Sequence, residues 1–283
     1  AKCPIGDMEI LKNGKSGLSQ TNLEDISYAL NIVKYFDGPT CAVMKHVNPS
    51  GAATATTVLD AYIQARDADP RAAFGSTIAF NTTLDKATAE EIMTTFVECI
   101  VAPDVDADAL AIFTDPDLKK NKSIRILRCG DLKELPRFTG EEQACHYTIK
   151  TLADGSVVTA APLTTSLRGI EDLKAATGEN KACGFQESTI AVTEQMKKDL
   201  LAAWYINLNV RSNGVVLVKN GTTVSVGTGE QDRVGAIEQA ISKFKLKYEG
   251  SEDINGSLVE PPISLQENLK TWLNRYRMIN DTI

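Results

Sequence analysis

The sequence predicts an α/β fold with a largely parallel central sheet. Two observations lead to this prediction. Short apolar runs recur along the first half of the chain, and amphipathic segments with helical spacing separate them. Strands that alternate with helices of about ten residues are typical of a sheet covered by helices.

The predicted elements of the first half follow one another in a regular order. Residues 21–36 place Ile26, Leu30 and Val33 on one helical face, with acidic residues in the first turn. Residues 41–44 form a short buried strand that leads into a Pro- and Gly-rich loop. The next predicted elements are a helix at 57–68, a strand at 76–80, a helix at 87–97, a strand at 98–102, a helix at 106–113 and a strand at 123–127.

The second half of the chain has a different pattern. Ala153-Asp154-Gly155 indicates a hairpin, and a polar stretch follows at 164–188, so a domain boundary is predicted near 155–165. A long amphipathic helix at 193–208 precedes the clearest hairpin, whose turn is Asn220-Gly221. A helix follows Arg233, and another is predicted near 265–278.

Composition excludes several classes of protein. The chain has 283 residues, 43% of them hydrophobic, and 30 basic against 37 acidic residues give a net charge of −7. This balance argues against disorder and against non-specific binding to nucleic acid or to anionic membranes. There is no apolar run long enough to span a bilayer, and the N-terminus lacks the apolar core of a signal peptide. We therefore expect a soluble, cytoplasmic protein.

Cysteine and histidine spacing gives no indication of a metal site. The six cysteines are scattered without a CxxC pair, and the two histidines are His46 and His146. In a chain without a secretion signal, such cysteines are typical of buried thiols that pack as small hydrophobes. We therefore expect no bound zinc, and His146 is interpreted as structural. The cysteines are Cys3, Cys41, Cys99, Cys129, Cys145 and Cys183.

Lys45 and His46 are the first candidates for chemistry. They stand side by side where a buried strand is predicted to end, and ligands of α/β folds bind at the carboxyl ends of strands. The small residues that follow would let a ligand approach the backbone, with Pro49 and Gly51 shaping the turn. The alternative is a surface lysine beside a structural histidine.

Two further segments carry possible binding groups. Asn213 lies between a helix and a hairpin, where its amide could orient a carboxamide or stabilise an oxyanion, although an asparagine that caps a turn is the alternative. The glycine-rich segment 227–233 leads into a helix that carries Arg233, an arrangement suited to an anion at a helix N-terminus. This second signal is weak alone, because it matches neither a GxGxxG nor a P-loop pattern.

Several motifs occur together in one known order. They are Lys45-His46-Val-Asn-Pro-Ser-Gly-Ala-Ala, Ala73-Phe74-Gly75, Ile100-Val101-Ala102-Pro103, Arg211-Ser212-Asn213 and Lys219-Asn220-Gly221 followed by Gly227-Thr-Gly-Glu-Gln-Asp-Arg233. In this order they resemble the AICAR transformylase domain of the bifunctional AICAR transformylase/IMP cyclohydrolase family. The resemblance covers about residues 9–247, which is most of the chain.

The resemblance implies a fold and an activity. The fold would be two cytidine-deaminase-like α/β subdomains without zinc, here residues 1–160, which carry the Lys-His pair, and residues 161–283. The reaction would transfer a formyl group from 10-formyltetrahydrofolate to the 5-amino group of AICAR, giving formyl-AICAR in de novo purine (IMP) biosynthesis. Homodimers with active sites near the subunit interface, and a bound potassium ion, are also implied. Neither nucleic acid nor a membrane is an expected partner.

The resemblance also implies roles for particular residues. Lys45 and His46 would be the catalytic pair: His46 would accept the proton of the attacking amine, and Lys45 would assist the tetrahedral intermediate and the leaving nitrogen. Asn213 would hold the AICAR carboxamide or the developing oxyanion. The implied substrate-binding residues are Gly75, Glu98, Arg233, Asn48, Ser50 and Gly51.

The chain departs from the family at both ends. The cyclohydrolase domain has no counterpart, so ring-closing activity is not expected, and residues 250–283 do not align with the family. The family segments that open and close the transformylase domain also lack counterparts. One alternative is therefore a non-catalytic relative, or an incomplete fragment, that binds a purine nucleotide or folate. A deaminase on the same fold is the other, although the H-x-E…P-C-x-x-C signature is missing.

Overall fold

A computed structural model describes residues 3–118, 120–142, 146–175, 177–188 and 190–248. The helices are α1 (Gln20–Val33), α2 (Val58–Asp67), α3 (Pro70–Ala73), α4 (Lys86–Ile92), α5 (Ala107–Thr114), α6 (Glu194–Asn207) and α7 (Arg233–Tyr248). The strands are β1 (Glu9–Lys12), β2 (Thr40–Lys45), β3 (Asn48–Thr54), β4 (Ser76–Phe80), β5 (Val97–Ala102), β6 (Arg125–Arg128), β7 (Thr148–Thr151), β8 (Val157–Ala160), β9 (Thr177–Asn180), β10 (Gly184–Glu187), β11 (Val215–Lys219) and β12 (Thr222–Gly227).

Eight of these strands form one mixed sheet, in the order β1-β6-β5-β4-β2-β3-β12-β11. The α/β class is confirmed. The prediction of a largely parallel sheet is wrong, because only β4–β5 and β5–β6 pair in parallel, whereas the other five neighbouring pairs are antiparallel. Two of these five antiparallel pairs are the hairpins β2–β3 and β11–β12, which reverse the chain without a helix.

Helices cover both faces of this sheet. Successive residues of β2 alternate between the faces, so that Cys41 and Val43 pack towards α2 while Ala42 and Met44 pack towards α1. The α2 face also holds Phe80 of β4, and α4 and α5 contribute buried side chains to it. Because both faces are buried, the central strands read as continuous apolar runs in the sequence.

Most predicted elements are confirmed within a few residues, with one exception near the Lys-His pair. Residues 48–54 were predicted as a loop, but they form β3, which is buried along most of its length. Pro49 is accommodated there because the β2–β3 register shifts between Val43 and Met44, and such irregularities tolerate the missing N–H of proline. The helix predicted near 265–278 lies outside the described residues.

The predicted domain boundary near residue 160 stays a prediction. The eight-stranded sheet combines strands from both sides of it, since β12 pairs with β3 through Thr222 and Ala53. Residues 148–160 form the predicted hairpin, β7–β8, and residues 177–187 form a second one, β9–β10. Both hairpins are two-stranded and separate from the large sheet.

Three cysteines confirm the expectation of buried thiols. Cys41, Cys99 and Cys129 are free and buried, and burial raises the pKa of Cys99 and of Cys129 to about 12. Such thiols are inert packing groups. Cys3 and Cys183 are exposed, and Cys145 lies outside the described residues. Among the helices that the structure describes, none has the length and apolar character needed to cross a bilayer.

Gly51 of β3 allows helix α2 to approach the sheet. A Cβ atom at this position would overlap the carbonyl oxygen of Ala65 and lie 2.5 Å from the Cβ of Ala68. We expect Gly51→Ala to lower the free energy of unfolding by about 2 kcal/mol, because the backbone of α2 must move to make room. Urea unfolding measures this loss. Gly178→Ala is the control, since a Cβ there meets no atom within 4 Å, and an equal loss in both variants would contradict the packing argument.

Lys34, which follows α1, is a buried lysine whose titration is expected to affect stability. It is 7% exposed, its Nζ donates to the carbonyl oxygen of Pro136, and among the described residues no carboxylate forms an ion pair with it. Burial lowers its pKa from 10.5 to about 8. The folded protein therefore binds fewer protons than the unfolded chain in this range, so stability rises as the pH increases through 8.

The variant Lys34→Met isolates this effect. Between about pH 7 and about pH 9, the stability of the wild type is expected to increase by about 1 kcal/mol relative to Lys34→Met, because the buried ammonium loses its proton. Denaturant unfolding of both proteins at the two pH values measures the difference, and tyrosines and cysteines that titrate cancel in the comparison. A difference that does not change with pH would show that Lys34 is not penalised by burial.

Candidate active site

The predicted catalytic pair lies at one edge of the large sheet. Strand β2 is antiparallel to β4, and β4 is parallel to β5, so the carboxyl end of β2 lies beside the amino ends of β4 and β5. Lys45 ends β2, Gly75 immediately precedes β4, and Glu98 is the second residue of β5. The structure therefore brings these three predicted site residues to the same edge.

Gly75 leaves room for the ammonium group of Lys45. The Nζ of Lys45 donates to the carbonyl oxygen of Phe74, and it would lie 3.4 Å from a Cβ placed on Gly75. Gly75 has a φ of 69°, in the left-handed region that glycine adopts at least cost. Since the Phe74 carbonyl takes one of the three donors of the ammonium group, two donors are left for a ligand.

His46 and Val47 form the two-residue turn between β2 and β3. Lys45 pairs with Asn48 across this turn, and both turn residues have positive φ, 52° for His46 and 63° for Val47. Such hairpin turns favour Asn-Gly, and a β-branched residue in the left-handed region costs about 1–3 kcal/mol. The imidazole of His46 is exposed and Val47 is buried, so the strained turn directs a histidine outwards.

Helix α1 carries two buried polar residues towards this edge, and sequence reasoning missed both. The helix begins at Gln20 with Ser19 as its N-cap, so the acids that were predicted in the first turn lie further along it. Asp25 is 5% exposed, and its Oδ1 accepts a hydrogen bond of 2.6 Å from the amide of Val47. Burial raises the pKa of Asp25, although the Val47 and His46 amides act in the opposite direction.

The second buried residue of α1 is Asn22, one turn before Asp25. Its Oδ1 accepts from the amide of Ser19 at 3.2 Å, which closes the capping box of the helix. Its Nδ2 donates to Oε2 of Glu98 at 3.3 Å. One asparagine therefore links the helix start to a carboxylate at the site edge. The spacing of Asn22 and Asp25 places both on one face of α1, but a polar pair on a helix also fits a solvated surface.

Asn48 ties the turn to the two loops that flank β11–β12. Its Oδ1 accepts from Oγ1 of Thr228 at 2.6 Å and from the amide of Arg211 at 3.3 Å. Its Nδ2 donates to the carbonyl oxygen of His46 at 3.2 Å. Three of the four hydrogen-bonding positions of this amide are therefore used within the protein, which leaves one N–H for a ligand. Its predicted substrate contact stays a prediction.

Asn213 lies on the loop before β11, and its amide donors are already used. Its Nδ2 donates to the carbonyl oxygens of Glu230 and Gln231, both at 3.1 Å, and its backbone amide donates to Glu230 at 2.8 Å. An oxyanion needs a donor, so the geometry does not favour the predicted oxyanion role. Within the described residues no group donates to Oδ1, which suits the N–H of a carboxamide.

At the start of α7, one amide that an anion could use is bound by the protein itself. The carboxylate of Asp232 accepts from the amide of Gly235 at 2.8 Å. Arg233 is the first residue of α7 and is exposed. Its guanidinium is therefore accessible to an anion, and the predicted contact of Arg233 with substrate stays a prediction.

Ser50 and Gly51 lie inside the sheet. Ser50 is buried, and its hydroxyl donates to the carbonyl oxygen of Val43 at 3.2 Å, while Gly51 packs against α2. Packing accounts for both residues, and their predicted part in substrate binding stays a prediction.

An exposed aromatic pair adjoins Lys45, and sequence reasoning did not assign it a role. Phe74 is 61% exposed and Phe96 is 40% exposed, with ring centroids 5.2 Å apart. The two residues precede β4 and β5, and the amide of Gly75 donates to the carbonyl oxygen of Phe96 at 2.8 Å. Exposed aromatic rings beside charged groups are suited to stack on a planar ligand. The Phe74-Gly75 motif was the only sequence signal for this surface.

Several side chains of types used in acid–base chemistry lie at this sheet edge. An ammonium group, an imidazole and a carboxylate lie there beside two aromatic rings, and the loop that carries Asn213 is tied to the same turn by the bond from the Arg211 amide to Asn48. In the ranges that the structure describes, no three His, Cys, Asp or Glu side chains are grouped so that they could hold a metal ion. The fold and this edge define an α/β protein that carries candidate acid–base residues at one edge of its sheet.

Comparison with known proteins agrees with this class and identifies the family. A family model described as AICARFT/IMPCHase bienzyme matches residues 2–243. The bifunctional purine biosynthesis protein PurH of Microcystis aeruginosa is 36% identical over 248 residues, which cover 86% of this chain and 43% of that protein. PurH of Caldicellulosiruptor saccharolyticus is 31% identical over 258 residues, 91% of this chain and 44% of the relative. The chain belongs to the AICARFT/IMPCHase bienzyme family, and it spans less than half the length of these relatives.

Proposed function

We propose that this protein transfers the formyl group of 10-formyltetrahydrofolate to the 5-amino group of AICAR, giving formyl-AICAR and tetrahydrofolate. Membership of the family supports the reaction class. The observation that carries the proposal for this chain is the placement of Lys45, His46 and Glu98 beside Gly75 at one sheet edge.

In the proposed mechanism, a new bond forms between the 5-amino nitrogen of AICAR and the formyl carbon, and the bond from that carbon to N10 of the folate breaks. The aromatic amine loses a proton as it attacks, and the exposed imidazole of His46 accepts it. A histidine is suited to this step near pH 7. The departing folate nitrogen takes up a proton as the tetrahedral intermediate collapses.

Lys45 is the group that we assign to the negative oxygen of that intermediate. The amide donors of Asn213 are used by Glu230 and Gln231, whereas the Lys45 ammonium keeps two donors beyond its bond to Phe74. An ammonium held in place by a backbone carbonyl stabilises developing charge without reorganising. It is also positioned to assist the leaving nitrogen.

Substrate binding follows from the remaining groups. We assign Oδ1 of Asn213 to the carboxamide N–H of AICAR and the Phe74–Phe96 pair to a heteroaromatic ring. Arg233 is the residue that we expect to meet the phosphate, through its exposed guanidinium. Glu98, which Asn22 holds in place, supplies an acceptor for a hydroxyl group.

Potassium, which the resemblance implies, stays a prediction. A hard cation takes a shell of several oxygen ligands, backbone carbonyls among them. One buried side-chain oxygen without a hydrogen-bond partner, Oδ1 of Asn207, lies near the loop that carries Asn213, since a Cβ on Gly214 would be 3.0 Å from it. One side-chain oxygen does not define such a shell, so we derive no step through a cation.

We propose that the protein acts as a homodimer, and the two small hairpins support this. An isolated two-stranded hairpin is at best marginally stable in water. Every residue of β7 and β8 is exposed in the single chain, and Ile149 and Val157 lie on the same face of their hairpin. Phe185 of β10 is also exposed. A second copy of the chain would cover these apolar side chains.

Replacement of either catalytic residue tests the proposed reaction. Lys45→Ala and His46→Ala are each expected to lower kcat for formyl transfer by about 10²-fold or more, because the proton acceptor or the oxyanion donor is lost. Turnover with AICAR and 10-formyltetrahydrofolate measures the loss, and calorimetry measures AICAR binding. His146→Ala is the matched control, since it removes the other histidine of the chain.

The outcomes separate the enzyme from the alternatives. Turnover that disappears in both variants and persists in His146→Ala supports the proposal. AICAR binding without turnover in the wild type would instead indicate a non-catalytic relative. Stoichiometric zinc together with deamination of AICAR would favour a deaminase. The absence of both AICAR binding and formyl transfer would contradict the proposed function.

Charge substitutions in the β7–β8 hairpin test the homodimer. The double variant Ile149→Glu, Val157→Glu is expected to shift sedimentation from dimer to monomer, because it buries two carboxylates in the proposed interface. Lys150→Glu is the control, since Lys150 lies on the opposite face of the same hairpin and pairs with Val158. Sedimentation velocity measures both. A wild type that sediments as a monomer at micromolar concentration would contradict the dimer.

A further inference from the structure

We propose that Asp25 is the positioning residue of the catalytic turn: its buried carboxylate holds the His46–Val47 backbone in the left-handed conformation that presents the imidazole of His46 to the substrate. This inference rests on the proposed function for its effect on turnover. The geometry on which it stands is independent of the reaction. Nothing in the sequence pattern singles Asp25 out, because it is one acid on an amphipathic helix.

The two hairpin turns of the sheet show why a holding group is needed. The β11–β12 turn consists of Asn220 and Gly221, with φ values of 52° and 75°. Asn-Gly is the pair that such turns favour, since both residues adopt positive φ readily. The β2–β3 turn has nearly the same φ values, 52° and 63°, but its residues are His46 and Val47. The intrinsic conformational preferences of His46 and Val47 therefore oppose this turn.

Asp25 supplies a hydrogen-bond acceptor that stabilises the turn conformation, which the residues of the turn do not favour by themselves. Its Oδ1 accepts from the Val47 amide at 2.6 Å. On the other side of the same peptide, the carbonyl oxygen of His46 accepts from Nδ2 of Asn48 at 3.2 Å. The backbone of His46 is thus held on both sides, while its imidazole stays exposed.

The burial of Asp25 argues against a merely incidental contact. A carboxylate that is 5% exposed has lost most of its hydration, and a buried acid is retained where its hydrogen bonds compensate for that loss. The compensating donor here is the amide of Val47, a buried residue of the turn. A hydroxyl or amide side chain at this position would accept more weakly, and an alanine would leave the Val47 N–H without this partner.

Amide hydrogen exchange tests the hold on the backbone without reference to activity. In the wild type, the amide of Val47 is expected to exchange slowly. In Asp25→Ala it is expected to exchange at least about tenfold faster, because local opening no longer breaks a charge-assisted bond. Asp85→Ala is the matched control. Asp85 also accepts a backbone amide, that of Thr88 at 2.8 Å, but it follows β4 at the opposite edge of the sheet.

Kinetics test the positioning role. Asp25→Ala is expected to lower kcat by about 10²-fold with KM for AICAR changed less than about threefold, since misplaced groups slow the chemical step. Asp25→Asn, which keeps an acceptor oxygen, is expected to recover part of this loss. In a protein that already carries His46→Ala, adding Asp25→Ala is expected to lower kcat less than about threefold further. If Asp25 acts through His46, its contribution is already absent when His46 is removed.

Each result decides the proposal. Fast exchange of the Val47 amide in the wild type, or unchanged exchange of this amide in Asp25→Ala, would overturn it. A kcat loss that Asp85→Ala reproduces, or full additivity with His46→Ala, would show a general effect on folding instead. If Asp25→Ala does not fold, Asp25→Asn carries both measurements. A wild type that binds no AICAR and transfers no formyl group would remove the proposed function, while the exchange measurements would still decide whether Asp25 holds the turn.

Discussion

The direction of β2 is the constraint on which the site depends. This strand runs against β4 and β5, so its carboxyl end meets their amino ends at one edge of the sheet. Lys45 is thereby placed beside the carbonyl of Phe74 and beside Gly75, with Glu98 on the next strand. In an all-parallel sheet, the end of β2 would lie at the opposite edge from these residues, and no common site could form.

Helix α1 serves the core and the site with one buried face. Ile26, Leu30 and Val33 of this face pack against the sheet, while Asn22 and Asp25, nearer the helix start, direct polar groups to the edge. Since the apolar residues fix the helix against β2, the polar residues of the same face are fixed relative to the β2–β3 turn. Core packing and the placement of the Lys45–His46 turn are therefore coupled.

Hydrogen bonds within the protein limit which donors the site residues offer to a ligand. The amide donors of Asn213 are used by the carbonyl oxygens of Glu230 and Gln231, whereas the ammonium of Lys45 keeps two donors beyond its bond to Phe74. At the start of α7, the carboxylate of Asp232 accepts from the amide of Gly235. Residue type alone does not show which donors are already used, because the partners lie elsewhere in the sequence.

The sequence by itself determined the α/β class, the positions of most helices and strands, and the adjacency of Lys45 and His46, because periodicity and chain neighbours are local properties. The Asn220-Gly221 hairpin was also predictable from the sequence, since its two turn residues favour the turn conformation. Tertiary structure alone decided that residues 48–54 form a strand, that Asp25 faces the turn rather than solvent, and that Gly51 makes room for α2. Each of these three features depends on a contact with residues distant in the sequence. The β2–β3 hairpin was not predicted, because His46 and Val47 are not residues that favour a turn with positive φ.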